Sequence, residues 1–127
     1  MAFVNYNPNP MRKSVGDCVI RAISTVTDKD WDSVYMELML KGFDMKDIPI
    51  ANNVWGSYLH DLGYKKEVVP DTCPDCYTVI DFINDNPHGT YVLGTGSHAI
   101  AVKDGKYFDT WDSGGEVPVY YWKKEDK

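Results

Sequence analysis

GSHAIAVKDGKYFDTWDSGG (96–115) decides how the second half of the chain folds. HAIAV (98–102) and KYFDTW (106–111) are short β-rich runs, and Asp104-Gly105 between them is a strong hairpin signal. A two-residue turn there pairs Val102 with Tyr107, sets His98 opposite Trp111 and leaves Asp109 diagonal to it on the same face. A three-residue loop over 104–106 pairs Lys103 with Tyr107 instead and puts Asp112 opposite His98. Either register brings a carboxylate within reach of the one ionisable side chain in HAIAV. TYVLGT (90–95) and VPVYYW (117–122) are of the same kind, so the region from Thr90 onward reads as a meandering antiparallel sheet.

Upstream the period is helical. A first helix begins near Cys18, with Val19, Ile20, Ile23 and Val26 on one face. TDKDWDSVYMELMLKGF (27–43) is the clearest helix. Thr27, Asp28 and Asp30 are N-cap candidates, Trp31, Val34, Tyr35 and Leu38 form an apolar stripe, and Gly42 marks the stop. A third helix covers ANNVWGSYLHDLG (51–63), with Val54, Trp55, Tyr58, Leu59 and Leu62 inward and His60 toward solvent. The strand KKEVV (65–69) follows, and TCPDCYTVIDFINDNPHG (72–89) reads as a fourth helix stopped by Pro87. NYNPNP (5–10) favours extended and turn conformations. Met36, Met39 and Met45 read as core or helix-edge filler, Tyr120, Tyr121 and Trp122 as a half-buried last strand, and KKEDK (123–127) as a solvated end. Helices first and an antiparallel sheet second make an α+β layout, expected as a single domain over 1–127.

Composition narrows the function. With 13 Lys and Arg against 19 Asp and Glu the net charge is −6, and no basic cluster exceeds Lys123-Lys124, which argues against a nucleic-acid partner. No apolar run approaches the length of roughly 18 residues that a membrane span needs. MAFVNYNPNPMRK (1–13) lacks the order of a signal peptide, so a cytoplasmic location is expected. Three cysteines, an odd number, argue against a disulfide framework in that compartment. CPDC (73–76) has no second ligand pair for zinc, with His60 and His88 each alone, so Cys73 and Cys76 read as structural or incidental. No metal and no cofactor are expected.

SVGDCVIRAIS (14–24) places a third cysteine, Cys18, after glycine-aspartate at a helix start. A helix N-terminus carries partial positive charge and a neighbouring imidazole can hold an ion pair, and together they lower a thiol's pKa. Cys18 on a helix, His98 on a strand and an Asp borne by the same hairpin are therefore the parts of a nucleophilic site.

That order of residues resembles the papain-like cysteine peptidase superfamily. GSHAIAVKDGKYFDTWDSGG is similar to the His-to-Asn segment of papain-type, Josephin-type and bacteriocin-leader peptidases. GDCVIRAIS (16–24) resembles the nucleophile segment of ovarian-tumour-type deubiquitinases, although Val15 stands where that pattern has Asp. As a whole the chain looks like small papain-like proteins of bacteria and their phages. The resemblance implies a papain-like fold and a cysteine-dependent hydrolase of peptide or isopeptide bonds acting on a protein or peptide substrate. It makes Cys18 the nucleophile and His98 the general base and acid. Asp112 becomes the orienter, because WDS (111–113) takes the place of the family's Asn-Ser, with Asp109 in reserve. Where papain-type enzymes carry an oxyanion Gln this chain reads NPNPMRKSV (7–15), so Asn7 or Asn9 takes that role beside the Cys18 N–H. The same fold also hosts deamidases, acyltransferases and inactive proteins that grip a partner in the cleft.

Overall fold

In the computed structural model, which describes residues 2–125, Asp104 and Gly105 both take positive φ, 48° and 80°. That is the mirror-image turn whose twist matches paired strands. It fixes the two-residue register: Val102 faces Tyr107 and Lys103 faces Lys106. Met1, Asp126 and Lys127, the ends of the expected 1–127 domain and of the KKEDK tail, lie outside the described residues.

Ten elements follow in chain order: β1 (Phe3–Asn5), α1 (Cys18–Thr27), α2 (Trp31–Met45), α3 (Asn52–Asp61), β2 (Tyr64–Val68), α4 (Val79–Asp85), β3 (Thr90–Gly94), β4 (Ala99–Lys103), β5 (Lys106–Asp109) and β6 (Tyr120–Lys124). The strands form one sheet in the order β1-β5-β4-β3-β6-β2. The α+β layout is as the sequence reads, but the sheet is mixed rather than purely antiparallel. β1 lies parallel to β5, with Phe3 beside Tyr107 and Asn5 beside Asp109. Asn and Pro extend the first residues, and an extended segment reaching the open edge of β5 completes its backbone hydrogen bonds.

Alternation along the central strands covers the sheet on both sides. Val92, Ala99 and Ala101 join the core shared with α1, α2 and α3, while Tyr91, Leu93, Ile100 and Val102 pack with Val79, Phe82 and Ile83 of α4. HAIAV is small on one face for this reason: Ala99 and Ala101 let α1 lie close to the sheet. α1 is buried over all of Val19–Val26, not on one face alone. Its polar members find partners inside, Ser24 Oγ donating to the Lys29 carbonyl and Thr25 Oγ1 to the Arg21 carbonyl.

Three readings of the sequence are corrected. In α2 only Val34, Leu38 and Gly42 are buried; Tyr35, Met36, Met39 and Met45 are exposed rather than core, because α2 touches its neighbours along a narrow seam. α4 is half as long as expected. Thr78 and Asp81 form a reciprocal capping box that starts the helix at Val79, and the residues before it are loop. Within that loop Cys73 and Cys76 are joined in a disulfide, although the odd cysteine count argued against a disulfide framework. The bridge spans three residues and links no two elements. His60 is exposed and Tyr120, Tyr121 and Trp122 are half-buried, as the sequence reads.

Ile23 is fully buried between α1 and the sheet. Ile23→Ala is expected to cost about 2–5 kcal/mol, read as a lower urea midpoint with an unchanged m-value.

Candidate active site

Cys18 opens α1, and Asp17 before it occupies the N-cap position without capping through its side chain. The Asp17 carboxylate is engaged elsewhere, accepting from the Arg21 guanidinium, from Trp31 Nε1 at 2.9 Å and from Asn9 Nδ2 at 3.3 Å. The first-turn N–H groups of α1 therefore present their partial positive charge around Cys18 without a side-chain cap.

His98 lies just before β4 and Asp109 closes β5, so both stand at the end of the sheet that meets the start of α1. His98 Nε2 and Asp109 Oδ2 are 2.7 Å apart. With Nε2 held, Nδ1 is the ring nitrogen left to face Cys18, whose thiol the imidazole influences both by hydrogen bonding and by charge. Trp111 lies over the imidazole with ring centroids 5.1 Å apart, as the two-residue register requires. It leaves the His98 side chain 13% exposed and shields the His98–Asp109 pair from water.

The register also decides between the carboxylates. Asp109, not Asp112, orients His98. Asp112 accepts instead from the Tyr107 hydroxyl and from the Gly114 N–H at 3.0 Å, closing the loop after β5. Matching WDS to a family position misplaces the orienter, because the two-residue turn sets Trp111 opposite His98 and leaves Asp109 diagonal to it on the same face. Asn7 and Asn9 are likewise placed in the loop before α1. Asn7 Nδ2 donates to the Lys13 carbonyl, and Asn9 donates to Asp17 while accepting from the Met11 N–H. Each amide thus spends one N–H on contacts within this loop and at the start of α1.

Asp109 is 3% exposed, and a carboxylate so buried stays ionised only with ample donors. It has four: Arg21 Nη2 at 3.3 Å and the Thr110 N–H at 2.8 Å on Oδ1, and Ser113 Oγ at 2.8 Å and His98 Nε2 on Oδ2. Burial pushes its pKa up, but the bonds from His98, Ser113 and Thr110 outweigh it and hold the carboxyl below its usual range. For His98, burial works against the charged form, and the bonds to Asp109 and Cys18 overcome it, raising the imidazole to about 9. The Cys18 thiol is pushed up by burial, then carried below its ordinary value by His98, by the Ala99 N–H and by the nearby charges of His98 and Arg21. The two shifts, the thiol downward and the imidazole upward, both act in favour of the thiolate–imidazolium form of the pair.

No protein family, no curated protein and no solved structure matches this chain. The reading of the site therefore stands on its geometry.

Arg21, Asp17 and Ser113 were not singled out by the sequence. Arg21 is buried and joins the two halves of the site, touching Asp17 through Nη1 and Asp109 through Nη2. Asp17 and Arg21 stand four residues apart, a pair spacing on a helix, and an arginine inside the otherwise apolar CVIRAI run was the available signal. Among the described residues no three His, Cys, Asp or Glu side chains are grouped to hold a metal ion.

The Asp109 carboxylate favours the imidazolium, so removing its charge lowers the His98 pKa. In a titration of the His98 ring by NMR, Asp109→Asn is expected to move the midpoint from about 9 toward the ordinary 6.5. Asp112→Asn is expected to leave it in place.

Proposed function

We propose that this chain is a papain-like, cysteine-dependent hydrolase that cleaves a peptide or isopeptide bond. The alignment of Cys18, His98 and Asp109 at a helix N-terminus carries the reading: the thiol is paired with an imidazole, and the imidazole with a fully bonded buried carboxylate.

The Cys18 thiolate attacks the substrate carbonyl carbon, and the oxygen takes the electron pair. The Cys18 N–H and the dipole of α1 stabilise that oxyanion. His98, protonated at the start, gives its Nδ1 proton to the leaving amine as the C–N bond breaks, leaving a thioester on Cys18. Neutral His98 then takes a proton from water, the hydroxide attacks the thioester, and the acid departs as the thiolate and imidazolium re-form. Asp109 holds one ring orientation throughout and stabilises the imidazolium, while Trp111 keeps water from the pair.

Two measurements test this. Alkylation of Cys18 by iodoacetamide, followed by mass spectrometry, is expected to be rapid at neutral pH, and His98→Ala is expected to shift the profile toward that of an ordinary thiol. Incubation with a peptide library is expected to produce new termini that vanish in Cys18→Ala and fall about 100-fold or more in His98→Ala. Ordinary alkylation of Cys18, unaffected by His98→Ala, contradicts the proposal.

A further inference from the structure

Tyr120 opens β6, Gly94 closes β3, His98 stands just before β4 and Asp109 closes β5, so all four meet at one end of the sheet. Gly94 pairs with Tyr120 on one side and with Ala99 on the other. Tyr120, Ala99 and Cys18 pack in the same core, on the face that α1 covers. The Tyr120 ring crosses from its own strand to lie over Gly94: a Cβ built there would fall 2.6 Å from the hydroxyl oxygen, and only glycine leaves that space. Neighbouring strands lie about 4.8 Å apart. The hydroxyl is therefore carried to within about one strand spacing of Ala99, whose N–H bonds the Cys18 thiol.

The ring is held in this position before any ligand arrives. Trp55 of α3 packs against it with centroids 6.1 Å apart, and Lys66 Nζ lies 4.6 Å from its centre. Its hydroxyl, by contrast, has no hydrogen-bond partner among the described residues, although a half-buried tyrosine usually finds one. No covered polar side-chain atom among those residues lacks a partner, so this oxygen is reachable from solvent. Burial and the charge of Cys18 both raise its pKa above the ordinary 10.0, which keeps the proton on the oxygen at neutral pH. An oriented donor thus stands beside the thiol with nothing in the protein to bond.

The sheet order says which part of a substrate would meet it. His98 protonates the leaving amine, so that part lies on the flank of His98, Asp109 and Trp111. Tyr120 stands on the other flank, across β3 from β4. There it also lines a groove of about 500 Å³ with Asn53 and Ser57 of α3, Lys66 of β2 and Trp122, which gives a chain on this side room to continue. We infer that the Tyr120 hydroxyl donates a hydrogen bond to the backbone of the substrate's acyl portion, the part that stays on Cys18 in the thioester. The inference rests on the hydrolase reading and adds to it a residue that binds substrate.

The test compares the wild type with Tyr120→Phe, using three reagents scored by mass spectrometry for the rate at which each labels Cys18. Acetyl-Gly-Gly chloromethyl ketone carries an acyl-side backbone, chloroacetone has the same reacting group without the peptide, and iodoacetamide reports the thiol alone. The peptidyl reagent is expected to label the wild type faster than chloroacetone does. Tyr120→Phe is expected to slow it about 3- to 10-fold, the loss of one hydrogen bond, and to leave the other two rates and the urea midpoint unchanged. A peptidyl rate no faster than that of chloroacetone, or one that Tyr120→Phe leaves alone, overturns the inference while the reactivity of Cys18 stands. Equal slowing of the peptidyl reagent and chloroacetone also overturns it, since the hydroxyl then acts on the reacting atoms and not on the acyl chain. Slow iodoacetamide labelling of the wild type at neutral pH overturns the hydrolase reading, and this role with it.

Discussion

A single buried carboxylate, Asp109, ties the two halves of the molecule together. On one oxygen it receives Arg21 of α1, and on the other His98 from just before β4 and Ser113 from the loop after β5. Arg21 continues the chain of contacts to Asp17, at the N-cap of the helix that carries Cys18. Cys18 and His98 sit on different elements, and this network sets where one stands relative to the other. Arg21 and Asp109 are both buried, and removing one charge of a buried pair costs about 3–5 kcal/mol. The arrangement is complete as it stands: every buried polar side-chain atom among the described residues has a partner.

Why the network lies where it does follows from the sheet. The tight turn at Asp104-Gly105 sets the β4–β5 register, and the register leaves His98 and Asp109 together at the end facing α1. Small residues at 99 and 101 let α1 settle on β4, and the larger Ile100 and Val102 fill the opposite face under α4. β1 adds a parallel edge beside β5, and its last residue leads into the loop that contains Asn7, Asn9 and the approach to Cys18.

Much of this was legible in local chemistry. Asp-Gly between two alternating runs gave both possible hairpins and hence both candidate carboxylates; only positive φ at Asp104 and Gly105 decides for Asp109. The glycine-aspartate-cysteine step marked the start of α1 at Cys18. What was not legible depends on contacts distant in sequence. The parallel pairing of β1 is a tertiary event between segments about a hundred residues apart by number (3–5 with 107–109), and nothing in NYNPNP announces it. The exposure of Tyr35 and Met39 is equally hidden, since an apolar stripe on α2 looks the same whether it meets protein or lines a groove. Thr78 and Asp81, by contrast, spelled a capping box that the longer reading of α4 passed over.

The central claim is that Cys18 is a thiolate paired with His98 at neutral pH. The most direct measurement is the ultraviolet absorbance of the thiolate across pH, taken as the difference between the protein and Cys18→Ser, which isolates the one free cysteine. The account predicts a thiolate signal already present at neutral pH and lost only on acidification. A signal that emerges only near the ordinary thiol value of 9.0 would contradict it.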